Sequence, residues 1–104
     1  MNPEVIEKMI AGGRDSYEAR LAAGQARMKQ GDVARAREHL QQATEMQPTR
    51  TMAWQELGRA CLESSDQAAA REAWQQGIEM ASANGDKQAE KVMAVWLKRL
   101  DRDR

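Results

Sequence analysis

Apolar residues recur at every third or fourth position along most of the chain, in segments separated by Gly, Pro, Asn or Asp. This spacing places the apolar side chains on one face of an α-helix. The pattern therefore predicts an all-α chain without strands. The predicted helices cover residues 3–11, 16–30, 33–47, 50–63, 67–83 and 87–102.

Polar residues with short side chains mark where several of these helices begin. Asn2 stands directly before a proline, which is typical of an N-cap followed by the first helical position. Asp15 lies three residues before Glu18, which is the spacing of a capping box. Pro48 ends the third helix, and Thr49 is positioned to cap the fourth. The helices are therefore expected to be separated by turns of only a few residues.

A stretch of the third helix, residues 37–46, recurs in the fifth helix as residues 71–80, with six of its ten letters identical. The offset is 71 − 37 = 34 residues, and the same offset relates Gly24 to Gly58. A period of about 34 residues in a helical sequence is typical of stacked helix-turn-helix repeats. The chain is therefore predicted to stack two such units.

Residues 17–50 and 51–84 each resemble a tetratricopeptide repeat, and the whole chain resembles the small stand-alone bacterial proteins of that family. The second unit carries the family's pattern at Trp54, Leu57, Gly58, Ala70, Trp74 and Gly77. The first unit carries it at Gly24, Gly31, Ala36, Leu40, Ala43 and Pro48. Three positions depart from the pattern, because Arg20, Arg27 and Ser82 stand where the family has Trp, an aromatic residue and Pro.

The resemblance implies a single domain over residues 1–104, a right-handed superhelical stack of helices called an α-solenoid. Its parts are an N-terminal helix, two repeats and a C-terminal capping helix, over residues 1–13, 17–50, 51–84 and 86–102. Two repeats are fewer than the roughly three that a stable stack needs. The two flanking helices are therefore expected to cover the ends of the stack.

Small and apolar residues suggest how the helices pack. Gly24 and Gly58 lack a side chain where paired helices cross, so they are expected to allow a close approach of the backbones. Met46 and Met80 occupy equivalent positions in the two repeats and are predicted to be buried. The first helix carries one apolar stripe, which is expected to dock on the second helix. The stripe consists of Val5, Ile6, Met9 and Ile10.

Charge and hydropathy exclude several classes of function. Sixteen Lys and Arg balance sixteen Asp and Glu, so the chain lacks the net positive charge typical of proteins that bind nucleic acids or anionic membranes. No segment approaches the ~20 apolar residues of a membrane span, and the first residues lack the pattern of a signal peptide. We therefore expect a cytoplasmic protein that binds neither nucleic acid nor membrane.

The residues that most often carry chemistry are too scattered to predict an enzyme. His39 lies on an outer helix with no predicted partner, and we expect it to be partly exposed and inert. Cys61 falls at a core position, where a cysteine behaves as a small hydrophobic residue. One His and one Cys are not sufficient for a metal site, and the sequence contains no phosphate-binding loop. We expect no catalytic activity, no cofactor and no bound metal.

The resemblance also implies a function, because the first helix of each repeat in this family lines a concave face that binds a peptide or helix of a partner protein. The corresponding protein-binding candidates here are Gln25, Met28, Met52, Gln55, Arg59, Leu62, Lys87 and Lys91. Among them, Arg59 has a guanidinium that can hold a carboxylate through two parallel hydrogen bonds. The clamp of Lys and Asn that chaperone-binding members use is not expected, since its inner positions here are Leu21, Gln25 and Glu56.

Three alternatives remain open on the sequence alone. In the first, the chain is a structural homo-oligomer whose terminal helix faces pair with each other. In the second, the first helix covers Leu21 and Met28 and leaves no open groove. In the third, Arg59 pairs only with Glu56 or Glu63 on its own helix, an interaction worth about 0.2–0.5 kcal/mol.

Overall fold

A computed structural model of the protein describes residues 2–103, and within that range it contains only helices and turns. The helices are α1 (Pro3–Ala11), α2 (Tyr17–Lys29), α3 (Val33–Met46), α4 (Thr51–Glu63), α5 (Gln67–Asn84) and α6 (Lys87–Arg102). Each helix begins and ends within one residue of its predicted bounds. The all-α prediction is therefore confirmed.

Most of the helices begin at a polar side chain, but two of the predicted caps are wrong. Helix α2 is capped by Ser16, whose hydroxyl accepts a hydrogen bond from the backbone N–H of Ala19 at 3.0 Å. Asp15 does not cap it, because its carboxylate is bound to the Arg20 guanidinium instead. Helix α4 begins at Arg50 without a side-chain cap, so Thr49 does not have its predicted role.

The helices form antiparallel pairs that stack in chain order. Helices α2 and α3 form one pair, α4 and α5 the next, while α1 packs on α2 and α6 packs on α5. The largest side chain of the core, Trp74, is only 2% exposed. Its indole lies so close to Gly58 that a Cβ atom added there would be 2.0 Å from the indole nitrogen. The small residue at position 58 thus allows the close helix crossing that the sequence predicted.

Two ion pairs made by arginines one repeat apart join successive layers of the stack. A guanidinium nitrogen of Arg37 donates to Asp66 at 2.8 Å, across the boundary between the two repeats. One repeat later, Arg71 donates to Asp101 on α6 at 2.6 Å. Helix α6 therefore occupies the place that the first helix of a third repeat would take.

The stack is curved. The backbones of α2 and α4, and those of α4 and α6, approach each other within 8 Å between Cα atoms, whereas within residues 2–103 the backbones of α3 and α5 do not. Because α2, α4 and α6 lie closer together, they form the inner, concave side of the curve. We call the surface formed by these three helices the inner face.

Two predictions about burial are only partly correct. In α1, Ile6 is buried, but Val5 and Met9 are 53% and 42% exposed, so the apolar stripe docks through only one of its edges. Met46 is 39% exposed, although it was predicted to be buried. It is the last residue of α3, whereas its equivalent Met80 lies a full turn inside the longer α5 and is half-buried.

Candidate functional site

An open cleft lies on the inner face between α2 and α4, with a volume of about 460 Å³. We call it the first cleft. It brings together three of the residues predicted from the sequence, Gln25, Met28 and Arg59. Its other lining residues are Lys29, Glu56 and Glu63. Helix α1 contributes no residue to this cleft, and its backbone does not come close to α4 in the described chain, so the first helix does not cover this cleft.

A second cleft, of about 580 Å³, lies where α4 and α6 meet above α5. Its wall and floor are largely apolar, since Leu62, Trp74, Trp96 and Leu100 contribute to them. The polar lining residues are Arg59, Gln67, Arg99 and Asp103. Two of the predicted residues, Arg59 and Leu62, therefore lie in this cleft. The α6 residues of this cleft were not singled out from the sequence, because Trp96 and Leu100 follow the apolar spacing of an ordinary amphipathic helix.

Arg59 lies on α4, the middle helix of the inner face, and lines both clefts. Its side chain is 52% exposed, and a guanidinium nitrogen lies 3.7 Å from the Glu56 carboxylate, which is too far for a good hydrogen bond. The centre of the guanidinium lies 5.9 Å from the centroid of the Trp96 ring, within the range of a cation–π interaction. The guanidinium thus lies near Trp96 while more than half of the side chain remains accessible.

The other predicted residues are not brought together with Arg59. Met52 lines a hollow of about 320 Å³ at the other end of the helices, beside Tyr17 and Arg50. Gln55 uses its backbone oxygen to accept a hydrogen bond from the Trp74 indole at 3.2 Å. Lys87 and Lys91 are exposed on α6, outside these three cavities.

A polar network at the N-terminal end was not predicted from the sequence. Arg27 donates two hydrogen bonds to the Glu7 carboxylate, at 3.0 and 2.6 Å. The same carboxylate lies 2.7 Å from Nε2 of His39, whose Nδ1 lies 3.2 Å from an Arg20 nitrogen. Because a guanidinium can only donate, Nδ1 accepts and Nε2–H donates to Glu7. Arg20 in turn donates to both oxygens of Asp15, at 2.8 and 2.9 Å.

The network corrects the prediction for His39. The residue is only 9% exposed and makes two polar contacts, so it is neither exposed nor without a partner. The reason is that α1 places Glu7 over α2 and α3, although Glu7 is far away in sequence. Arg20 and Arg27 stand where the family has aromatic residues. Because a buried cation requires an acidic partner, these two arginines could have predicted the network.

These contacts lower the pKa of the two carboxylates in the network. Hydrogen bonds from Arg27 lower the pKa of Glu7 to about 2, and His39 contributes in the same direction. The bound Arg20 guanidinium lowers the pKa of Asp15. Both carboxylates are thus charged at neutral pH and fix the first helix and its turn to the stack.

The single cysteine lies in the core, as predicted. Cys61 is 2% exposed, and burial raises the pKa of its thiol. The protonated thiol is the form that packs as an apolar group and is a poor nucleophile. Within residues 2–103, no three His, Cys, Asp or Glu side chains come together in a way that would hold a metal ion.

The comparisons with known proteins agree with this architecture. The model of a tetratricopeptide repeat family matches residues 21–87. A TPR repeat-containing protein of Pseudomonas aeruginosa is 46% identical over 101 residues, which are 97% of this chain and 96% of that protein. The solution structure of a protein from Bordetella parapertussis superposes with a TM-score of 0.83 at 34% identity, over 99% of this chain and 90% of that one.

None of the helices between residues 2 and 103 has the length and apolar character needed to cross a bilayer. The repeat period, the paired helices and the match of the family model over residues 21–87 all point to the same conclusion. The chain belongs to the tetratricopeptide repeat family.

Proposed function

We propose that the protein is a non-enzymatic interaction module that binds a peptide or helix of a partner protein on its inner face. Tetratricopeptide repeats generally mediate protein–protein interaction. The observation that carries the proposal for this chain is the pair of open clefts that share Arg59. The shared Arg59 supplies a positive charge, and each cleft adds an apolar side chain, Met28 in the first and Leu62 in the second.

The residues of this surface supply what a peptide ligand needs. Arg59 has a half-exposed side chain, and its guanidinium can bind a carboxylate with two hydrogen bonds. Met28 lines the cleft on one side of it, and Leu62, which is 40% exposed, lines the cleft on the other. A flexible Met and an exposed Leu both suit contact with apolar side chains of a ligand.

The proposal is tested by capturing partners from a lysate of the native organism with the wild type and with two charge-reversed variants. Arg59→Glu changes the inner face. Arg35→Glu is the matched control, since Arg35 is 61% exposed on α3, which is not one of the helices of the inner face. We expect a partner that the wild type and the control bind alike, and that Arg59→Glu binds at least about tenfold more weakly, a loss of about 1.4 kcal/mol. Equal capture by all three proteins would contradict binding at the inner face.

A second candidate function is self-association through α1, which is favoured by one observation. Val5 and Met9 lie one helical turn apart on the terminal helix, and about half of each side chain is exposed. Sedimentation velocity at increasing concentration tests it, with Val5→Ser combined with Met9→Ser as the variant. A concentration-dependent dimer that the variant abolishes would support this function, and a monomer at every concentration would exclude it.

A further inference from the structure

We infer that the second cleft binds a short acidic segment of the partner, in which a large apolar side chain is flanked by Asp or Glu. This inference rests on the proposed function and specifies the chemistry of the ligand. It follows from two independent properties of the cleft, the apolar character of its floor and the charge of its rim.

The floor requires an apolar group. Trp74 and Trp96 lie with their ring centroids 5.4 Å apart, and Leu100 adjoins them at the end of α6. Leu62 forms a wall that is 40% exposed although it is a large apolar residue. A cavity of about 580 Å³ with such a lining accommodates a Leu-sized or aromatic side chain together with part of its backbone.

The rim favours negative charge. The second cleft is lined by Arg59 and Arg99 and by one acid, Asp103, so its formal charge is 2 − 1 = +1. The first cleft has two cations, Lys29 and Arg59, and two acids, so its formal charge is zero. Among residues 2–103, Arg99 forms no ion pair, and Arg59 approaches an acid only at 3.7 Å. Both guanidiniums can therefore bind carboxylates of a ligand without breaking a strong pair.

The position of the two arginines explains why the acids should flank the apolar residue. Arg59 lies on α4 and Arg99 on α6, and the apolar floor lies in the cleft that these helices enclose. A ligand that places an apolar side chain on Trp96 thus brings the residues before and after it towards the two guanidiniums. Charge-assisted hydrogen bonds of this kind add to the burial of the apolar group.

The inference is tested by nuclear magnetic resonance with the 104-residue chain labelled with nitrogen-15, at low ionic strength. The probe is an acetylated and amidated heptapeptide with a central Leu and Glu on both sides. One control peptide has Lys in place of Glu, and the other has Ser in place of Leu. The indole signals of the three tryptophans report the location, since Trp54 lies in a different cavity, beside Arg37 and Gln41.

We expect the acidic Leu peptide to shift the Trp74 and Trp96 signals saturably, with a Kd of about 1 mM or tighter, and to leave Trp54 unchanged. Both control peptides should bind at least about fivefold more weakly. Arg99→Gln and Leu62→Ser should each weaken binding about threefold or more. Their matched controls, Arg35→Gln and Val95→Ser, should bind like the wild type, because those residues are exposed outside the cleft.

Three results would overturn the inference. These are equal binding of the acidic and basic peptides, a response of Trp54 instead of Trp96, and no saturable shift with about 10 mM peptide. None of them affects the capture experiment with Arg59→Glu, so the broader proposal would stand or fall separately.

Discussion

The close approach of Gly58 and Trp74 leads to a quantitative prediction for a double-mutant cycle. In Gly58→Ala, the new Cβ would lie 2.0 Å from Nε1 and 2.4 Å from Cε2 of the indole. Non-bonded carbon atoms in contact are about 3.5–4.0 Å apart, so the ring must move by more than an ångström. It is held in place by Trp96 at 5.4 Å and by its hydrogen bond to the Gln55 oxygen at 3.2 Å.

Two opposing contributions determine how much Gly58→Ala changes the free energy of unfolding. Overpacking of this kind costs about 1–3 kcal/mol or more, whereas Ala is favoured over Gly inside a helix by about 1 kcal/mol. Because a 2.0 Å approach belongs at the severe end of the overpacking range, about 3 kcal/mol, we expect Gly58→Ala to lower the free energy of unfolding by about 2 kcal/mol. Trp74→Ala alone should lower it by about 3–5 kcal/mol, because it removes a fully buried side chain.

In the Trp74→Ala protein the clash is absent, and Gly58→Ala should then stabilise by about 0.5–1 kcal/mol. The two substitutions are thus expected to be coupled by about 3 kcal/mol. Urea denaturation followed by far-ultraviolet circular dichroism measures all four proteins. Gly24→Ala is the control, since its Cβ would meet Leu40 at 2.6 Å and not Trp74. Gly24→Ala should lower the free energy of unfolding by the same amount whether residue 74 is Trp or Ala. If Gly58→Ala also lowered it equally in both proteins, the contact with Trp74 would not explain why residue 58 is a glycine.

Three further predictions concern the N-terminal end. Glu7→Gln should lower the free energy of unfolding at pH 7 by about 1–3 kcal/mol, through loss of its hydrogen bonds to Arg27 and His39. Because the pKa of Glu7 falls from 4.5 to about 2 on folding, the stabilisation is present above pH 4.5 and is lost as the pH falls towards 2. The melting temperatures of variant and wild type should therefore converge in acid, and a constant difference would contradict this. His39→Ala should cost about 1–3 kcal/mol in urea denaturation, where an exposed histidine would cost less than about 0.5. Deletion of residues 1–13 should lower the melting temperature or cause aggregation, and an unchanged, monodisperse protein would show that α1 is not structural.

The fold was predictable because its signals are local. Helix bounds depend on apolar spacing, prolines and caps within a few residues, and the period of the repeat gives the stacking. The error at the start of α2 arose from two adjacent residues that can both cap a helix. Ser16 caps it because Arg20, one turn further, binds Asp15.

The candidate site was only partly predictable, since it depends on contacts between distant segments. Arg59, Met28 and Leu62 follow from the position of their helices in the repeat. The contribution of Arg99 and Trp96 depends on how α6 packs, and their sequence pattern alone is that of an ordinary amphipathic helix. The position of Glu7 over His39 depends in the same way on how α1 docks.

The ion pairs between successive layers indicate how an array of this kind changes length. Arg71 corresponds to Arg37 one repeat later. Asp101 on α6 pairs with Arg71 as Asp66 of the second repeat pairs with Arg37. If a copy of residues 51–84 were inserted after position 84, Arg71 would meet the copied Asp66, and the copied Arg71 would meet Asp101. Every junction would keep its ion pair. The inner face can therefore lengthen in whole repeats while each junction between layers keeps the same kind of ion pair.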